Sequence, residues 1–173
     1  MGDQYFQQQP EDLKQFIDFI DEDLENVRRV IDFCEQNNLD AKFKIHSKSE
    51  TAEESANKTD VELNQIVKTL VFKAGDEFIA VLCPGDKRVS EEKLENITGE
   101  KVRMANPSEV TEHTSYVVGG VSPFDLDIEV YMEESLMKLS KVKPAAGSRV
   151  VGVELDPSEL RDITVSSVTS LTE

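Results

Sequence analysis

Apolar residues at Leu13, Phe16, Ile17, Ile20, Leu24, Val27, Ile31 and Cys34 recur every three or four positions, which predicts an amphipathic helix from about Glu11 to Asn37. Pro10 with Glu11 and Asp12 suits its start, and Asn37 and Asn38 suit its end. Asp18, Asp21, Glu22, Asp23 and Glu25 fall largely off the apolar stripe, as a solvated face would, and a break near Asp21 to Asp23 fits them too. From Ala41 to His46 the period drops to two, with Phe43 and Ile45 alternating with Lys42 and Lys44, so a short strand is expected. Thr51 with Glu54 three residues on resembles a capping box that opens a short helix.

Ile66 to Lys73 and Glu77 to Cys83 are apolar and β-branched around the turn signal Ala74-Gly75-Asp76, and predict an antiparallel hairpin closed by Pro84-Gly85-Asp86. Ser90 to Gly99 reads as a capped helix, Lys101 to Ala105 as a strand, and Asn106-Pro107 as the cap of a helical turn through Val110. Tyr116 to Val118, Asp127 to Met132 and Arg149 to Leu155 are three more strand candidates, and Asp156-Pro157 starts a last short helix near Leu160. Many short strands with small helices between them imply an α+β fold with a mixed, largely antiparallel sheet.

Composition narrows the picture. A chain of 173 residues holds one domain with a sizeable core, here taken as residues 41–173 behind an acidic helical extension at 1–40. Net charge is −16, and half of that excess lies in the first forty residues, so a protein that wraps long stretches of phosphate backbone is disfavoured while one that grips a single nucleotide end is not. No window approaches a membrane span and the amino terminus lacks a leader pattern, so a cytoplasmic location and no membrane partner are expected. Cys34 and Cys83 are too far apart and too few to propose a disulfide framework or a thiolate metal cluster.

Two histidines, His46 and His113, and the absence of zinc-protease, Walker, dinucleotide and nucleophile-elbow patterns leave metal, nucleotide and serine-hydrolase chemistry without their usual support; no metal and no cofactor are expected. Lys68 stands out because strand alternation puts it in one row with Ile66, Leu70 and Phe72. Two readings stay open: an edge lysine whose stem lies along apolar surface, or a point charge that meets an anion in a cleft. Gly119-Gly120-Val121-Ser122-Pro123-Phe124 lets the backbone approach a ligand closely and stiffens at its proline, although such a loop also serves as a plain tight turn. Pro144-Ala145-Ala146-Gly147-Ser148 has the same small-residue character.

Taken in order, Thr51 to Ala56, Gln65 to Phe72, Val110 to Phe124 and Ala146-Gly147-Ser148 resemble the YbaK/ProX family of aminoacyl-tRNA deacylases, akin to the editing domain inserted in bacterial-type prolyl-tRNA synthetases. The resemblance runs from about Lys44 to the carboxyl terminus. It implies trans-editing, hydrolysis of the ester that joins a wrong small amino acid (alanine, cysteine, serine or proline) to the 3′-terminal adenosine of a tRNA. It further implies that Lys68 contacts the phosphate and ribose of that end, with Thr69 beside it, and that Gly119 to Pro123 form the pocket loop. In this picture the backbone at Gly119 and Gly120 stabilises the oxyanion. Val121, Ser122, Pro123, Gly147 and Ser148 line the substrate, His46 stands at the pocket wall, and water is the nucleophile, assisted by the substrate itself. The partners implied are the aminoacyl-tRNA 3′ end and an aminoacyl-tRNA synthetase. Ser115 and Asp125 depart from the pattern, since glycine commonly stands at both places. A non-catalytic module that binds a tRNA end or a protein is the alternative from another class, and a small-molecule ester hydrolase a third. The acidic helix either docks a partner or covers a core face.

Overall fold

The computed structural model describes residues 24–45 and 61–173. The predicted start of the first helix, most of its acids, His46 and the Thr51 to Ala56 motif lie outside the described residues. Helix α1 occupies 24–36 and places Val27, Val30 and Cys34 in the main core, as its apolar stripe requires. Strand β1 (Lys42–Ile45) pairs antiparallel with β7 (Val151–Glu154), Lys44 opposite Gly152.

The hairpin β2 (Ile66–Ala74) and β3 (Glu77–Pro84) forms the centre of the main sheet, and Gly75 takes a positive φ of 60° at its two-residue turn. Helix α2 (Glu91–Thr98) is capped as expected: the Ser90 hydroxyl accepts from the Lys93 amide, and Gly99 at φ 73° ends it. Strand β4 (Val102–Met104) adds to the far end of β2. Helix α3 (Pro107–Thr114) begins in a capping box between Asn106 and Glu109 and runs a turn beyond Val110. Val110 and Thr114 are buried one above the other on it, and His113 stacks on Phe78 at 3.8 Å between ring centroids.

Strand β5 (Glu129–Glu133) pairs parallel with β3, and β8 (Ser167–Thr169) parallel with β5. Two-residue β6 (Lys143–Pro144) pairs parallel with Ile66 and Val67, and helix α4 (Pro157–Thr164) follows the Asp156 cap. The fold is therefore α+β, with β1 and β7 in a two-stranded sheet and a mixed six-stranded main sheet whose longest ladder is antiparallel, in line with the expected class. One expected strand is absent. Tyr116 to Val118 is irregular and leads into a turn closed by the Gly120 amide on the Val117 carbonyl at 2.9 Å, because Gly119 and Gly120 reverse the chain before the run finds a strand to pair with. Tyr116 is buried instead as an anchor, while Val117 and Val118 are exposed. Among the described residues no helix is long and apolar enough to cross a membrane.

Candidate functional site

Among the described residues the edge of β2 opposite β3 is only partly covered. Strand β6 meets it at Ile66 and Val67, β4 meets it at Phe72 to Ala74, and the Ala105 amide takes the Val71 carbonyl. The Ile66 carbonyl accepts from Gly85 on the β3 side and the Val71 carbonyl from Ala105 on the other, so the odd-numbered peptide groups face the uncovered edge. Thr69 alone of these has no strand beside it among the described residues. Its side-chain oxygen is buried without a hydrogen-bond partner as well. A peptide edge and a hydroxyl left unpaired at one point leave bonding capacity unused inside the protein.

Thr69 shares its face of β2 with Val67 and Val71, which pack in the main core with Val121 and Phe124 of the glycine loop. That loop lies directly on the second small-residue segment. A Cβ added to Gly120 would stand 3.0 Å from the backbone N and Cα of Ser148 and 3.2 Å from the carbonyl carbon of Gly147. Gly147, at φ 87°, is in turn so close to α1 that its own Cβ would come within 2.8 Å of the Asn26 carbonyl. Three backbone segments are thus stacked without side chains between them. Gly119, at φ 94°, is exposed with the Arg149 side chain against it.

The loop's donors differ from expectation. The Gly120 amide is consumed by the turn, so it is not available to an oxyanion; among the described residues the amides of Gly119 and Val121 make no hydrogen bond. Ser122 and Ser148 are both buried and both serve turns. Ser122 Oγ faces the Phe124 amide at 3.5 Å, and Ser148 Oγ accepts from the Val150 amide at 3.1 Å. Pro123 is buried beside them.

Lys68 points to the other face of β2, the side on which Leu70 and Phe72 join the second core cluster. Its ammonium is half-buried and donates to the Lys87 carbonyl at 2.6 Å, a carbonyl that the Cys83 thiol also approaches at 3.4 Å. The structure therefore brings the loop of Gly119, Gly120, Val121, Ser122 and Pro123 against Gly147 and Ser148, and sets Thr69 and Lys68 on opposite faces of β2. Burial pushes both the Cys83 and the Cys34 thiols up to about 11, so neither is a ready thiolate.

The model of an aminoacyl-tRNA editing domain matches residues 46–163. The chain belongs to the aminoacyl-tRNA editing domain family. Uncharacterised protein YwhH of Bacillus subtilis (strain 168) is 37% identical over 139 residues, which make 79% of this chain and 88% of that protein. The proline–tRNA ligase of Caldicellulosiruptor saccharolyticus is 31% identical over 122 residues, 70% of this chain but 21% of the ligase, so this editing domain spans about a fifth of that enzyme. A solved structure described as a candidate trans-editing enzyme for prolyl tRNA synthetase superposes with a TM-score of 0.78 at 30% identity, over 86% of this chain and 97% of that one. That share exceeds what residues 41–173 amount to, so the likeness reaches back into the first forty residues.

Ser115 and Asp125, where the resemblance leads one to expect glycine, both lie in the left-handed region, at φ 63° and 59°. The backbone at both places is thus one that glycine adopts most readily.

Sequence reasoning missed Lys143, whose signal was a lysine embedded in the apolar Val142-Lys143-Pro144 run. It is 3% exposed, its Nζ has no hydrogen-bond partner, and its stem lies over Gly152, where an added Cβ would meet Cε at 2.5 Å. Pairing with Ile66 puts it on the Lys68 face. Burial first, and the Lys44 charge second, pull its pKa down to about 8 against the opposing effect of Glu154. Below pH 8 both folded and unfolded chains hold the proton and the desolvation cost is present in full. Between about 8 and 10.5 the folded chain releases the proton first, so stability rises with pH. Lys143→Met is expected to raise stability near pH 7 by about 2 kcal/mol, or about 4–8 °C in Tm, and to flatten the rise above pH 8. Equal melting curves across that range refute the assignment.

Proposed function

We propose that this editing domain hydrolyses, in trans, the ester of a tRNA mischarged with a small amino acid, alanine first and cysteine, serine and proline after it. The observation that carries the reading is the backbone-on-backbone packing of the glycine loop against Gly147 and Ser148, on the same core as the stretch of β2 where Thr69 has no partner strand among the described residues. Such a wall suits a small side chain and leaves little room for a large one. Water adds to the ester carbonyl, the bond to the ribose oxygen breaks, and the terminal adenosine recovers its hydroxyl as the amino acid leaves. The amides of Gly119 and Val121 serve the developing oxyanion, a contribution worth about 10²–10³ per donor in other enzymes. Gly120 shapes the turn that presents them. Thr69 binds the ester or the α-amino group, and Val121, Pro123 and Gly147 limit the side chain. Ser122 and Ser148 hold their turns, and His46 belongs to the pocket wall through the resemblance alone. Lys68, steadied on the Lys87 carbonyl, takes the terminal phosphate and ribose from across the uncovered edge.

Within this reading residues 41–173 carry the site, and the acidic segment 1–40 adds a helix, described from residue 24, that covers a core face. The protein works in the cytoplasm, and a synthetase is a further partner. Contact with one nucleotide end predicts a shallow salt dependence.

A panel of tRNAs charged with alanine, cysteine, serine, proline and a bulky residue tests the reading. Release of a small amino acid well above the rate in buffer is expected. No acceleration on any ester overturns it. A second reading, a module that binds the tRNA end without turnover, draws on the engagement of Lys68 with Lys87 and of Gly120 with Val117. Retained binding with no turnover selects it.

A further inference from the structure

Arg29 on α1 reaches the two ends of the segment that carries the glycine loop. Its Nε donates to Asp125 Oδ2 at 2.8 Å, Nη1 donates to the Thr114 carbonyl at 2.8 Å, and Nη2 donates to the Asp125 carbonyl. The guanidinium also lies over the Tyr116 ring, 4.2 Å from its centroid. Tyr116 closes the segment from within, its hydroxyl donating to the Phe124 carbonyl at 2.8 Å. The two residues that flank this closure, Ser115 and Asp125, are both non-glycine and both left-handed. That conformation strains any residue with a Cβ, and it persists where surrounding groups over-determine it. Arg29 supplies such groups at both ends: one planar fork holds the carbonyl just before Ser115 and both the carbonyl and carboxylate of Asp125. The Thr114 carbonyl ends α3, where a cation also meets the negative end of the helix dipole.

We propose that Arg29 is the positioning residue of the pocket loop. It fixes the two left-handed hinges between which residues 116–124 are hung, and so makes the size of the amino-acid pocket depend on helix α1. The kinetic part of this proposal rests on the deacylase reading; the structural part does not. A single exposed ion pair is worth little, but here one rigid fork joins three acceptors on two segments, a task that the single ammonium of lysine does not reproduce.

The test compares wild type, Arg29→Lys, Arg29→Ala, and Arg29→Ala combined with Ser115→Gly and Asp125→Gly, below the melting transition of each. Amide exchange across 116–124 is expected to quicken about tenfold in Arg29→Ala and less in Arg29→Lys. The preference in kcat/KM for alanyl-tRNA over valyl-tRNA is expected to fall about tenfold as the pocket wall loosens. The two glycines, which adopt the left-handed conformation unaided, restore both. A purely stabilising arginine lowers Tm yet leaves the exchange of this segment and the substrate preference of the folded molecules unchanged, and that result overturns the proposal. Failure of the glycine pair to restore slow exchange overturns it too. Should Arg29→Ala not fold, the lysine variant decides: exchange across 116–124 equal to wild type refutes the role. If wild type hydrolyses no ester, the deacylase reading fails while the exchange data still decide this one.

Discussion

Replacing Lys68 with alanine is expected to lower kcat/KM for deacylation by about 10²–10³ while the protein stays folded. The two halves of that statement have separate grounds. Stability changes little because Lys68 is only half-buried and makes one hydrogen bond, to the Lys87 carbonyl. That carbonyl keeps the Cys83 thiol nearby, so the deletion costs about 1 kcal/mol. Under the proposed mechanism turnover changes much because no other lysine or arginine stands on the stretch of β2 that the described residues leave uncovered, and the terminal phosphate loses the charge that sets the ester against the loop amides. Lys68→Arg keeps the charge but not its point-like shape, and recovery by less than about tenfold is expected. Single-turnover deacylation of alanyl-tRNA, with circular dichroism as the folding control, makes the measurement. An alanine variant as fast as wild type removes Lys68 from the mechanism.

The elements that were legible are those whose causes are local. The β2–β3 hairpin, the Ser90 and Asn106 caps and the left-handed Gly99 all follow from a few neighbouring residues, and they stand where the pattern put them. Strands β6 and β8 were invisible because two or three residues carry no period; partners far along the chain make them strands. Tyr116 to Val118 failed for the opposite reason: it has β-propensity but no partner, and its aromatic ring is worth more in the core. The glycine loop was readable as a place, but its amide bookkeeping was not, since the use of the Gly120 donor depends on a turn that begins at Val117. Nor was Arg29 readable. In an acidic helix the pair Arg28-Arg29 looks like ordinary surface charge, and only the fold brings Thr114 and Asp125 to it.

Gly120→Ala is expected to destabilise the domain by about 1–3 kcal/mol and to lower turnover about 10²-fold, more than Gly119→Ala does. Gly120 has no positive φ, so its own backbone tolerates a side chain. The cost is steric alone. A Cβ there meets the backbone of Ser148 at 3.0 Å, and that segment has nowhere to retreat because Gly147 is already against the Asn26 backbone of α1. The push is therefore taken up by the glycine turn itself, which moves the amides of Gly119 and Val121 on either side. At Gly119 the obstacle is the Arg149 side chain, with Cδ 2.8 Å and Cγ 2.9 Å from an added Cβ, and a side chain shifts more readily than backbone does. What remains at Gly119 is the strain of φ 94°. Gly99→Ala is the control: at φ 73° it carries comparable strain but faces open space at the end of α2, so it lowers Tm while leaving turnover unchanged. Melting curves and alanyl-tRNA deacylation for the three variants separate strain from displacement. Equal kcat/KM for Gly120→Ala and Gly99→Ala would show that the contact between the two small-residue segments has no part in the chemistry.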